Sequence, residues 1–121
     1  MREEKPWEHE PDHLLFEAHG YVCEIRRHTP LGTLNGYVYV PRTHPIVEGD
    51  EAYELDVHGG ITFFDEVDGG FCIGFDCSHA GDYIPTWTHT AQGTDIYRDI
   101  TYVAQQLEFL AQQLKEKENA N

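Results

Sequence analysis

Two short polar stretches hold most of the residue types that do chemistry: Leu55-Asp56-Val57-His58-Gly59-Gly60 and Gly74-Phe75-Asp76-Cys77-Ser78-His79-Ala80-Gly81-Asp82. His58, Cys77, His79 and Asp82 are four zinc-compatible ligand types, and a Cys-x-His step in a loop can present both side chains to one ion. Their spacing is neither that of a zinc finger nor HExxH. Zinc held there with one position open would support a hydrolase or lyase, with a remaining carboxylate as base. Cys77 with His58 or His79, oriented by Asp76, has the makings of a thiol catalyst, and Ser78 of a hydroxyl one. Neither sits in a GxSxG turn. The plainer expectation is that Cys77 is a small buried residue and that Asp76 caps the turn after it.

Ligand capture without reaction is the third chemistry. Gly59-Gly60 permits positive φ and can turn backbone N–H groups toward an anion or a carbonyl. A helix start near Asp95 to Arg98 would aim its free N–H groups at the same place. Arg98 and Tyr97 would add donors, and Trp87 a stacking face. His58, Asp76, His79 and Asp82 would read polar edges. His44 is a candidate contributor at the rim. His9, His13, His19, His28 and His89 are expected on the surface or in loops.

The elements that must position these residues follow from period and punctuation. Gly20–Arg27 alternates, with Tyr21, Cys23 and Ile25 on one face. Gly36-Tyr-Val-Tyr-Val40 is dense in strand formers and stops at Pro41, so the two runs should pair antiparallel. Residues 53–58 and 60–64 are expected to be extended, broken at Gly59-Gly60. Asp68-Gly69 is a hairpin signal, with Phe71–Phe75 as the returning strand. That hairpin sends both polar stretches out of its open end, which makes His58 a neighbour of Asp76–His79. The run from Asp76 to Gly93 has no clear period and is long for a loop in a compact domain. Ile100, Val103, Leu107, Leu110 and Leu114 recur at three and four, predicting a helix from about Ile96 to Lys117, capped by Thr94 or Asp95. The expected fold is α+β: an antiparallel sheet of about five strands packed by one long C-terminal helix. Residues 1–12 are expected to be a flexible arm, with Trp7 against the domain. Residues 13–117 form the domain and 118–121 a polar tail.

The chain has 121 residues, enough for one domain with a core of its own. Three cysteines and a charged start without an apolar signal region suggest a cytoplasmic protein. No run approaches the length of a membrane span. Twenty-two acidic residues against eight basic ones give a formal charge of −14. Such a surface repels phosphates and argues against general nucleic-acid binding. It is compatible with a small anionic ligand held by a local donor cluster.

Gly36-Tyr-Val-Tyr-Val-Pro41 with His44-Pro45, then Asp56-Val-His-Gly-Gly-Ile-Thr62, the GFDCSHAGD string of 74–82, and Tyr97-Arg-Asp-Ile-Thr-Tyr-Val103 come in that order. Over about residues 20–114 this resembles a family of small uncharacterised bacteriophage and prophage proteins with HGG and GFDCxHxGD motifs. The resemblance implies a phage setting inside a host cell and marks His58, Asp76, Cys77, His79 and Asp82. Small acidic phage proteins often counter host defence. The leading expectation is therefore a ligand-binding protein that sequesters a nucleotide-like signal. The zinc hydrolase or lyase stands second. An acidic inhibitor that binds a host defence protein stands third. A second copy of so small a domain could complete the pocket, so a homodimer belongs with these expectations.

Overall fold

Alternation of buried and outward residues organises the sheet. A computed structural model describes residues 5–87 and 94–120; His89 lies outside them. Five strands, β1 (His13–Ala18), β2 (Tyr21–Arg27), β3 (Leu34–Pro41), β4 (Phe63–Val67) and β5 (Gly70–Asp76), form one antiparallel sheet in the order β1-β2-β3-β5-β4. The helix α1 (Ile100–Asn119) packs on β1, β2 and β3.

Side chains alternate across the pleat, so register decides which residues meet the helix. Val38 pairs with Cys23 and Ile73, and all three are buried. Gly36 lies under Leu107 and Phe75, and a β-carbon there would fall 3.1 Å from Leu107 Cδ2 and 2.8 Å from Phe75 Cε1. The intervening Asn35, Tyr37 and Tyr39 therefore face away from α1, beside Arg26, Glu24 and Val22. Val103, Leu107, Leu110, Ala111 and Leu114 complete the core from the helix.

The α+β arrangement is the expected one, but one strand is exchanged for another. His13–Ala18, not anticipated as a strand, forms the edge β1. Residues 53–58, expected to be extended, are not: Tyr53 and Glu54 lie in a 3₁₀ turn, Glu51–Glu54, and 55–58 form no strand. The helix supplies this segment's backbone partners. Gln113 accepts from the Asp56 amide and donates to the Asp56 carbonyl, and Gln106 accepts from the His58 amide. Two glutamines one heptad apart thus take over from a neighbouring strand. The second extended stretch lies at 63–67 rather than 60–64, and Gly69 takes φ +83° in the expected Asp68-Gly69 turn.

The helix also starts later than its periodicity implied. Ile96 is held in a parallel bridge to Asp82, its amide donating to the Gly81 carbonyl, so Thr94 and Asp95 cannot cap it. Asp99 is the N-cap and accepts from the Tyr102 amide. Of residues 5–12, read above as part of an arm, Trp7 stacks on Tyr83 and meets the edge of Tyr97. Glu10 accepts from Arg27, the Tyr97 hydroxyl and the Ile100 amide. Among the described residues no helix is long and apolar enough to cross a membrane.

Candidate functional site

The His58 turn is shaped by two glycines. Gly59 and Gly60 have φ of +71° and +81°, a region L side chains rarely occupy, and the Gly60 amide closes the turn on the Val57 carbonyl. With its own amide held by Gln106, His58 projects between Tyr102 of α1 and Asp82. Its Nε2 lies 2.9 Å from both Asp82 oxygens and its Nδ1 2.8 Å from the Tyr102 hydroxyl. A carboxylate can only accept, so Nε2 carries the ring proton and Nδ1 accepts the Tyr102 O–H. Arg98 donates to Asp82 from Nε at 2.8 Å and lies 4.9 Å over the Tyr102 ring. The Asp82 side chain is 1% exposed and also accepts from the His79 amide. A buried carboxylate with three donors is satisfied, and its charge is balanced by Arg98.

The loop after β5 is pinned by the strand's last residue. Asp76 accepts from the Ser78 amide and hydroxyl on Oδ1 and from the Thr62 hydroxyl on Oδ2. Burial alone would raise the Asp76 carboxyl. The Ser78 and Thr62 hydrogen bonds and the nearby His79 outweigh it and hold the group below its ordinary 3.8. His79 Nε2 is 3.0 Å from Asp76 Oδ1, an ion-pair distance, and makes no hydrogen bond among the described residues.

The expected neighbours His58, Asp76, His79 and Asp82 do come together, and Arg98 joins them. For Cys77 the plainer expectation, a small buried residue, matches the structure. Cys77 points into the core at 1% exposure, and burial, followed by the charges of Asp82 and Asp76, pushes its thiol up to about 12. A protonated, enclosed thiol is a poor nucleophile. Both His58 nitrogens and both Asp82 oxygens are engaged within the protein. Among the described residues no group of three His, Cys, Asp or Glu could hold a metal ion.

The helix start is not an open anion site either, because Glu10 and Asp99 accept from the Ile100 and Tyr102 amides. Tyr97 belongs to the Trp7–Glu10–Arg27 cluster, where its hydroxyl accepts from Arg27 and donates to Glu10. Trp87 is half exposed, beside a Thr86 whose amide and hydroxyl donate to the Leu31 carbonyl. His44 is structural: Nδ1 accepts from the Ile46 amide and Nε2 donates to the Leu114 carbonyl.

A cleft of about 250 Å³ opens beside Asp76. Its polar lining is His28, Thr33, Asn35, Thr62, Asp76 and Ser78. Tyr37, Phe63 and Phe75 give it aromatic walls, and the Tyr37 ring lies so close over Gly74 that a β-carbon there would sit 2.6 Å away. Three buried side-chain polar atoms have no hydrogen-bond partner among the described residues: His28 Nδ1, Thr33 Oγ1 and His79 Nε2. Two belong to residues lining this cleft, and the third sits against Asp76. The three gather at or beside this one opening; buried polar atoms are rarely left unpaired.

Sequence reasoning missed Tyr102 and the cleft residues His28, Thr33, Asn35, Tyr37 and Thr62. The outward parity of Asn35 and Tyr37 on β3 was the one available signal. Fold and site together define a two-layer α+β domain with a buried carboxylate–imidazole–phenol chain beside a polar cleft. No protein-family model, curated protein or solved structure matches the chain.

Proposed function

We propose that the protein binds a small polar ligand in the Asp76 cleft and, in a phage setting inside a host cell, withholds that compound from a host defence system. The carrying observation is Thr33 Oγ1. The residue is 2% exposed, it lines the cleft, and its hydroxyl has no partner in the described protein. A ligand group that hydrogen-bonds to it would satisfy that hydroxyl. The phage setting rests on the motif resemblance alone. Calorimetry against nucleosides, mono- and cyclic nucleotides, amino acids and sugars tests the reading. Binding by one class, abolished by Thr33→Val, is expected. Absence of heat with every class overturns it.

A second reading has its own observation. Asp82, His58 and Tyr102 stand in the order of a carboxylate–imidazole–hydroxyl relay, with Arg98 over the phenol ring. This would be metal-free acid–base catalysis through Tyr102. Turnover of any bound compound, abolished by Tyr102→Phe in a folded protein, would put it first.

A further inference from the structure

The geometry points to an uncharged, N–H-rich nitrogen heterocycle of nucleobase or nucleoside size as the ligand of the Asp76 cleft, a proposal that rests on the capture reading. Size sets the first bound. At about 250 Å³ the cleft is just below the roughly 300 Å³ at which ordinary small-molecule sites begin. One base or nucleoside suits it, and a dinucleotide does not.

Charge sets the second bound. Among the described residues no Lys or Arg lines the cleft, while Asp76 does, with its carboxyl held ionised at neutral pH by Ser78 and Thr62. The neighbouring cations are already committed: Arg98 to Asp82, and Arg27 to Glu10, Asp12 and Tyr97. A phosphate here would meet the Asp76 carboxylate with no Lys or Arg beside it among the described lining residues.

Hydrogen-bond direction sets the third. A carboxylate has about four acceptor sites. Asp76 uses two on Oδ1 and one on Oδ2, leaving one on Oδ2. Thr62 and Ser78 spend their hydroxyl protons on Asp76, so each offers lone pairs to the cleft. This wall accepts and asks for a donor-rich edge. Thr33 supplies an opposing O–H. Phe63, 42% exposed and edge-on to Tyr37 at 5.7 Å, offers a free ring face for stacking. Guanine, whose N1–H and amino group donate side by side, matches the wall better than adenine or cytosine, and uracil matches least.

The test is calorimetry with guanosine, adenosine, cytidine and uridine, their 5′-monophosphates, and a cyclic dinucleotide. Guanosine should bind most tightly, and a 5′-phosphate should weaken it on the order of tenfold. Asp76→Asn and Thr33→Val should each lower guanosine affinity by roughly tenfold or more. Thr33→Val removes an atom with no partner in the fold, so it reports on the site even if Asp76→Asn disturbs the loop. Monophosphates or the dinucleotide binding as tightly as nucleosides, uridine leading the series, or either variant binding like wild type would overturn the ligand class. Binding of amino acids or sugars in place of every nucleoside would do the same and leave capture standing. Silence from the full panel, those compounds included, would remove both.

Discussion

The imidazole of His79 lies against the α-carbon of Gly59: a β-carbon there would fall 2.4 Å from both its Nε2 and its Cδ2. At Gly60, which has a similar positive φ, an added β-carbon would meet nothing within 4 Å. The pair separates backbone strain from site geometry. Gly60→Ala should cost about 1–2 kcal/mol, the usual penalty for a left-handed L-residue, and leave the His79 ring where it is. Gly59→Ala should carry the same strain and also push His79 off Asp76. Urea denaturation gives the stabilities, and histidine ring NMR signals report the displacement. Unmoved His79 resonances in Gly59→Ala would refute the contact.

Asp82 is the most enclosed charge of the site, with His58, Arg98 and the His79 amide all donating to it. Asp82→Ala leaves Arg98 without its carboxylate at a protected position. The expected loss is about 3–5 kcal/mol, as for other half-broken buried pairs. A loss under about 1 kcal/mol in urea denaturation would mean that the pair behaves like a surface one.

Acid should destabilise the fold through two carboxylates. Burial by itself would raise Glu24, but hydrogen bonds from Tyr39, Arg26 and His13 hold it below its ordinary 4.5, as Ser78 and Thr62 hold Asp76 below 3.8. Groups depressed in the folded state contribute fully above their unfolded values, and the contribution fades as pH falls through the folded ones. Stability should therefore be flat near neutrality and decline below about pH 4.5. Tyr39→Phe should raise the Glu24 midpoint in a ¹³C carboxyl titration and make the acid decline shallower. An unchanged Glu24 midpoint would remove Tyr39 as the cause.

All three thiols should be silent in the native protein. Burial pushes Cys77 up to about 12 and Cys23 and Cys72 up to about 11, and each is buried. Ellman's reagent at pH 8 should find no reactive thiol before unfolding and three after it. A fast native reaction that Cys77→Ala abolishes would restore the nucleophile reading.

Legibility followed periodicity. The α1 stripe and the β2, β3 and β5 runs carry their period in the chain, and Asp68-Gly69 carries its turn, so these could be read directly. β1 could not, because His13-Leu-Leu-Phe-Glu-Ala lies on the sheet edge, where Leu15 is 58% exposed and alternation of polarity breaks down. Residues 53–58 alternate like a strand, yet Gln106 and Gln113, about fifty residues away, supply their hydrogen bonds. The nearness of His58 to Asp76–Asp82 followed from the hairpin. Tyr102 stayed hidden among ordinary helix residues, and the lack of a partner at Thr33 is a property of the folded arrangement alone.

The carboxylate of Glu10 joins residues far apart in the chain, since one oxygen takes the amide of Ile100, ninety positions later, and the other takes Tyr97 and Arg27. In kinetic terms this is a closure of very high sequence separation, made after the local hairpins can form. The entropy of closing such a loop is spent before the contact returns anything, and topologies of this kind fold slowly for their size. Glu10 is thus a late latch. Glu10→Gln should show mainly as faster unfolding, with the rate of folding little changed.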